Sequence, residues 1–357
     1  MTANSVSLES KPDFAEAARH WDAFWQGEII DRPVVQVIAG RGGPEPPTIR
    51  RYQDWVFADI DDLLDRTLAQ AAATYYGGDA IPCFNPSMGP DEIACFCGGE
   101  LCWSDEAPET NWSRPFVSDW REALPLAVQQ DNPLWQRTLR LLDRAAERLA
   151  DKMLIGSLDL HTNMDLLAAV RGPQQLCLDL LDQPDVIDEA MASTMSVFRT
   201  VWHEIARARR MADHGHCRVH YDPSGAATLQ CDFCCMISPP MFRRWVLPYL
   251  EEEARIVGRA AYHWDGPDAL IHEPDLAASK GLYAFGYVPG AGHGGHIDYL
   301  DLYKRMQAAG KAVLFHGSQD ECKAAHRELR PDLTVYTTRA NTPAQAEELL
   351  RWFVRNT

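Results

Sequence analysis

Positive charge is scarce in this sequence: 34 Lys and Arg stand against 51 Asp and Glu, a formal net charge of −17 over 357 residues. A surface of that sign repels phosphate backbones and anionic lipid headgroups, so nucleic acid and membrane are excluded as expected partners. Long apolar runs are also missing, none approaching the ~20 residues that span a bilayer. The polar stretch 1–11, which carries Glu9, lacks the apolar core of a secretory signal. A soluble cytoplasmic protein is expected, in which the ten cysteines are free thiols, mostly buried, and not disulfides. No glycine-rich phosphate turn follows an early strand. Arg41-Gly42-Gly43-Pro44 is too short and has no helix directly behind it, which argues against an open dinucleotide-binding sheet. No low-complexity linker divides the chain, so the expectation is a flexible 1–11 followed by one domain over 12–357.

What is present is a core-forming composition, 46% hydrophobic, arranged as an alternation. Phe14, Ala17, Ala18, Trp21 and Trp25 recur at helical spacing and predict a first helix over 13–26. Short apolar or β-branched runs at 34–39, 80–84, 153–157, 216–221, 260–264, 282–288, 312–316 and 333–338 predict about eight strands. Amphipathic stretches at 60–76, 134–150, 184–212, 240–258, 299–310 and 343–355 separate most of them. This pattern predicts an α/β fold, a parallel (β/α)₈ TIM barrel with an amino-terminal helix. The segment 85–120, rich in Gly, Pro and Cys, is too long for a simple barrel loop and predicts a lid or side wall after the second strand. Its Trp103, Trp112 and Trp120 fit an aromatic lining that could face a quaternary ammonium or a planar ring, although packing of a long loop is the better explanation of them.

A parallel barrel carries its chemistry at the carboxyl ends of the strands, and those ends are rich in histidine. They read Asp159-Leu160-His161-Thr162-Asn163-Met164-Asp165, His220-Tyr221-Asp222, Tyr262-His263-Trp264-Asp265, the loop with His293 and His296, and Phe315-His316-Gly317. One histidine at a strand end is ordinary, but five such ends converging on one rim supply what a metal or an acid/base pair requires. His263 and Asp265 stand two apart on a strand, hence on one face, with positions left open for a third ligand and a substrate atom. The alternative is that Asp265 only orients His263. Cys95, Cys97 and Cys102, and Cys231, Cys234 and Cys235, do not repeat at zinc-ribbon spacing. The run 231–236 reads as strand-like, ahead of a helix that Ser238 caps before Pro239-Pro240.

Several runs together resemble the uroporphyrinogen decarboxylase superfamily over roughly residues 12–355. They are Leu160-His161-Thr162-Asn163 with Arg171-Gly172-Pro173, then Gln230-Cys231-Asp232-Phe233 leading into Met236-Ile237-Ser238-Pro239-Pro240 and Val246-Leu247-Pro248-Tyr249-Leu250. Tyr262-His263-Trp264-Asp265-Gly266-Pro267, Val288-Pro289-Gly290-Ala291-Gly292 and Ala308-Ala309-Gly310-Lys311 complete the set. The resemblance implies a (β/α)₈ barrel and one of two activities: decarboxylation of a tetrapyrrole, or methyl transfer between a corrinoid protein and a small acceptor or donor. The sequence looks closest to the corrinoid-dependent branch, in the group resembling trimethylamine corrinoid proteins. The decarboxylase pattern is broken here, since Arg41 has no second arginine and the second strand ends in Asn85-Pro86. The zinc pattern of the methyltransferases, His-x-Cys with a later Cys, reads His263-Trp264-Asp265, and the last strand ends Thr337-Thr338-Arg339 without a thiolate.

The resulting expectation is a methyltransferase acting on a small methylated substrate, with the corrinoid carried by a separate protein because no corrinoid-binding signature is present. Zinc is expected at His263 and Asp265, with His220 or His316 available to complete the set. His263, Asp265, His161 and Asp232 are the expected catalytic residues. Asn85, Asp159, Asn163, His220, Tyr221, Gln230, His316 and Arg339 are the expected substrate contacts. A homodimer is compatible with this reading. The alternatives are a decarboxylase or lyase for an acidic substrate, relying on Arg41, Arg171 and Arg339, and a non-catalytic barrel that binds a corrinoid or a metal.

Overall fold

Phe14, Ala17, Trp21, Phe24 and Trp25 fall along the helix Phe14–Gln26, and all five are buried. The helix ends at Gly27, whose φ of 69° lets its N–H reach Ala23 O and Phe24 O. The protein is seen here in a computed structural model, which describes residues 8–50, 52–104, 106–149, 151–208, 216–217 and 220–357. The expectations for 1–7, for 209–212 at the end of the long helix and for 218–219 lie outside the described residues. Leu8 is buried, and Lys11 Nζ donates to Gly78 O at 2.6 Å and to Tyr76 O at 3.0 Å.

The strands in chain order are β1 Val34–Gly40, β2 Thr74–Gly78, β3 Cys83–Phe84, β4 Glu100–Ser104, β5 Ala107–Arg114, β6 Leu154–Ile155, β7 His216–Cys217, β8 Tyr221–Asp222, β9 Ala226–Gln230, β10 Arg259–Asp265, β11 Leu282–Val288, β12 Ala312–His316 and β13 Thr334–Arg339. A central sheet of seven runs in the order β2-β1-β13-β12-β11-β10-β9. Every neighbouring pair in it is parallel except β2 on β1. β3 and β6 form a separate parallel pair, and β4–β5 and β7–β8 are antiparallel hairpins. The fold is thus mixed α/β with a mostly parallel sheet covered by helices. Among the described residues no ladder joins β1 to β3 or β6 to β9.

Three elements differ from the sequence expectation. The helix expected over 60–76 stops at Ala73, and Thr74-Tyr75-Tyr76 pairs along β1 as β2, because β-branched and aromatic residues favour the extended edge. The fourth parallel strand is β9, not the run 216–221, whose described residues belong to the β7–β8 hairpin. The run 231–236 is not extended either. Asp232–Met236 is a 3₁₀ turn, since the Asp165 carboxylate accepts the N–H groups of Asp232 at 3.0 Å and Phe233 at 2.8 Å.

The amino ends of the parallel strands are lined by small residues in register, Ala261 beside Ala284 and Ala284 beside Ala312. These alanines, with Ala226, Val34 and Val335, form one cluster with Phe14, Trp21, Phe24 and Trp25. Small side chains leave a hollow there, and the aromatic face of the first helix fills it at about 1.5–3 kcal/mol for each large side chain buried. The opposite, carboxyl ends of the strands are left open. Over them lies the long segment after β3, which contains the helix Glu92–Phe96 and the β4–β5 hairpin and contributes Asp91, Asn111, Trp112, Ser113 and Pro115 to the wall of a cleft.

Candidate active site

Three strand ends, those of β6, β9 and β10, build the cleft. β10 places Ala261, His263 and Asp265 on one face by its period of two, while Ala260, Tyr262 and Trp264 face the helices and are buried. The same period puts Thr228 and Gln230 of β9 above Ala226. The loop after β6 brings Asp159 and His161, and the helix Asn163–Arg171 brings Asp165 in its first turn. The cleft has a volume of about 810 Å³, within the range for small-molecule sites.

Its polar groups are tied to one another. Gln230 Nε2 donates to Asp159 Oδ1 at 2.7 Å. His161 lies between two carboxylates, with Nε2 at 3.7 Å from Asp159 Oδ1 and Nδ1 at 3.6 Å from Asp165 Oδ2. Asp232 Oδ1 is buried without a hydrogen-bond partner. Ligand atoms of His161, Asp165 and Asp232 lie within 4.8 Å of one another, and so do those of Asp232, His263 and Asp265. Either trio has the donor types and closeness to hold a divalent metal ion such as zinc.

So many carboxylates in one place alter each other's proton affinity. Burial, then repulsion from Asp232, pushes the Asp165 carboxyl up to about 7, against the pull of His161. Burial and then Asp232 also raise Asp265, which His263 partly offsets. Burial alone would discharge His161, but Asp159, Asp165, Asp232 and Asp91 outweigh it and hold the imidazole above its ordinary range. Burial raises Asp91 as well, although Ser113 N–H donates to it at 2.8 Å. No Lys or Arg is among the described residues that line the cleft.

Of the residues picked out in the sequence, Asp159, His161, Gln230, Asp232 and His263 line this cleft, and Asp265 stands within reach of Asp232 and His263. His316 and Arg339 line a second cleft of about 580 Å³ that also holds Gln36, Tyr76, Ser318 and Thr338, with His316 still close enough to His263 for the two imidazoles to repel. Four expected contacts do not line either cleft. Asn85 turns its Oδ1 to Ser87 N at 3.1 Å. Asn163, at φ 47°, is fully buried and donates to Gln230 O at 3.1 Å, so it clamps the loop to β9. His220 sits beneath the floor, Nε2 at 3.0 Å from Thr228 Oγ1 and its ring beside Trp21 and Trp25. Tyr221 is buried, its carbonyl accepting from Trp25 Nε1 at 2.7 Å. Both are misplaced from sequence because they precede the parallel strand β9 and do not follow it.

The arginines of the lyase alternative are placed elsewhere too. Arg171 is held by Asp179 at 2.6 Å and by the carbonyl of Val117 at 2.9 Å, and Arg41 Nε donates to Thr74 O at 3.0 Å. Two acidic residues of the cleft, Asp165 and Asp91, are not among the site residues expected from sequence. Asp165 had a local signal, since it follows His161 by four residues at a helix start, whereas Asp91 reaches the cleft only through the folding of the long segment. Ser238 stands at its expected helix start but makes no side-chain cap. Cys95 and Cys97 are buried free thiols, pushed up by burial to about 12. Trp112 lines the cleft, while Trp120 is buried with Nε1 on Asp179 Oδ2 at 2.8 Å.

No family model matches the chain, and no curated protein matches it either. Among solved structures, a methyltransferase from Methanosarcina mazei is similar at a TM-score of 0.63 and 14% identity, over 95% of this chain and 98% of that one. At that identity the likeness establishes a shared fold. No helix among the described residues is long and apolar enough to cross a membrane.

Proposed function

We propose that this protein is a methyltransferase that moves a methyl group between a small methylated compound and a corrinoid carried by a separate protein, with zinc held by Asp232, His263 and Asp265. One observation carries the reading: the cleft at the strand ends is lined by carboxylates and imidazoles and by no lysine or arginine among the described residues. Such a lining attracts a cation, either a metal or a methylated ammonium group, and repels the carboxylates of a tetrapyrrole. The lyase alternative needs free arginines in the cleft, so the lining argues against it. The fold shared with a protein named a methyltransferase supports the same side. We place the two parallel arcs, β1-β13-β12-β11-β10-β9 and β3-β6, in a single (β/α)₈ barrel over residues 12–357, because together they follow barrel order.

Breaking a methyl–nitrogen or methyl–oxygen bond leaves the bonding pair on the heteroatom, which must be made a better leaving group. Asp232, His263 and Asp265 would hold the zinc, which when bound would supply Lewis-acid polarisation of a donor heteroatom that has a free lone pair. The protein's own residues do the rest. Asp159 and Gln230, bonded to each other, present a fixed polar wall, and Asn163 behind them keeps β9 and the loop in register. Phe233, Met236 and Trp112 give the apolar surface against which methyl groups pack and from which water is excluded. The test is conversion of cob(I)alamin to methylcobalamin, followed by absorbance, with methylated amines and methyl ethers as donors. Methyl transfer by the wild type that falls at least 100-fold in His263→Ala supports the reading. A protein that binds zinc or cobalamin without transferring a methyl from any donor of either class is the non-catalytic alternative and overturns it.

A further inference from the structure

The two trios of metal-ligating groups share one residue. We propose that they form a two-cation centre bridged by Asp232: one divalent ion between Asp232, His263 and Asp265, and a second between His161, Asp165 and Asp232. The first ion is the one in the functional reading above, and the inference rests on that reading to this extent. The second ion is additional, and its ligands come from different elements of the chain.

Geometry is the first support. In each trio the donor atoms lie within 4.8 Å of one another, and the Nδ1 of His161 is 3.6 Å from Asp165 Oδ2. Ligand atoms at about 2.1 Å from a tetrahedral ion are separated by about 3.4 Å, so this pair already stands close to the spacing of two ligands on one ion. A bridging carboxylate must have oxygens that the protein has not already engaged. Asp232 Oδ1 is buried and accepts no hydrogen bond, a costly state that a cation relieves.

The surroundings of the second trio are built rather than loose. Asp165 is fixed by the N–H groups of Asp232 and Phe233, yet each carboxylate oxygen has a second lone pair free. His161 Nε2 is turned to Asp159 at 3.7 Å, and Gln230 holds Asp159 at 2.7 Å. Asp159 is thus fixed at ion-pair distance from the imidazole, on the side from which an outer carboxylate orients a ligating histidine. Charge points the same way. A single divalent ion carries two positive charges against the three carboxylates of Asp165, Asp232 and Asp265, with Asp159 and Asp91 nearby and no lysine or arginine lining the cleft among the described residues. Two divalent ions carry four positive charges against three ligating carboxylates and remove the excess. The ligand set is imidazole and carboxylate without thiolate, which suits zinc, manganese(II) or iron(II). Ions sharing a carboxylate are expected about 3.5–4 Å apart.

The experiment is metal stoichiometry on the full-length chain after removal of metal with a chelator. Zinc chloride is titrated by calorimetry with elemental analysis of the dialysed product, and manganese(II) is loaded in parallel for electron paramagnetic resonance. The wild type is expected to hold two zinc ions per chain and to give a spin-coupled manganese signal. His161→Gln and Asp165→Asn should each hold one, with affinity for the second ion at least 100-fold weaker. His263→Ala should also hold one, and Asp232→Asn should lose both or bind each weakly. Circular dichroism confirms that each variant is folded, and two independent ligand variants guard against one that is not. A single ion that His263→Ala removes and His161→Gln leaves untouched overturns the second site while leaving the single-metal reading standing. Two ions that persist in both His161→Gln and Asp165→Asn are bound elsewhere and also overturn it. No bound zinc in the wild type overturns this inference and the zinc of the functional reading together.

Discussion

At the scale of single residues, the molecule separates buried charge that holds structure from buried charge that faces the cleft. Asp79 belongs to the first kind. It is fully buried below the strands and accepts from Val35 N at 2.8 Å, from His20 Nδ1 at 2.7 Å and from Arg32 Nη1 and Nη2. Burial opposes its charge, but His20 and Arg32 together hold the carboxyl below the ordinary range. Asp79→Ala strands the buried Arg32 guanidinium, and the expected loss is about 3–5 kcal/mol in urea unfolding. Asp232 is of the second kind, with a buried oxygen that no protein donor satisfies. His263 and Asp265 were legible as a pair because strand alternation is a local property. Asp91 was not, since nothing near it in sequence says where a long segment will lie.

At the scale of elements, the helix Leu247–Val257 is docked on the site through one buried acid. Glu253 is fully buried, its Oε1 lies 2.6 Å from Thr162 Oγ1, and Asn163 Nδ2 donates to Oε2 at 3.4 Å. Burial pushes its carboxyl up to about 8 from an ordinary value of 4.5. The folded state therefore holds this proton more tightly than the unfolded state, so the stability it contributes is complete below about 4.5 and is lost as pH rises toward 8. Glu253→Gln keeps a partner for both neighbours and removes the titration. Its melting temperature should exceed that of the wild type by about 3 °C or more at pH 8, and the gap should close near pH 5. Element types were legible where the signal was strong. β10, β11, β12 and β13 are runs of five to seven residues rich in apolar, aromatic or β-branched side chains and lie close to their expected places. β9, reading Ala-Ala-Thr-Leu-Gln, has weak strand propensity and is extended because it lies between β10 and the helices.

At the scale of the whole molecule, the aromatic face of the first helix closes the amino ends of the sheet and leaves the carboxyl ends for chemistry. A metal that binds only the folded cleft must stabilise the fold. At a free zinc concentration 100 times its dissociation constant, the gain expected is about 2.7 kcal/mol, seen as a rise in melting temperature that chelator reverses and His263→Ala reduces. A melting temperature unchanged by zinc in the wild type would count against the proposed centre.

The sequence by itself determined the acidic sign of the molecule, the alternation of strands with helices, the position of the first helix and the shared face of His263 and Asp265. Each of these depends on composition or on residues a few positions apart. Only the tertiary structure decided which polar groups meet. Asp91, the neighbouring pair His161 and Asp165, Asp232 and His263 are far apart along the chain and come together because separate strand ends and one long segment converge on a cleft. It also decided which candidates were already engaged, since Arg171 on Asp179, Asn163 on the Gln230 carbonyl and His220 beneath Thr228 are pairings across the fold. Local propensity acts within an element, but the partner of a buried polar group is chosen by packing, where leaving it unpaired would cost more than any local preference supplies.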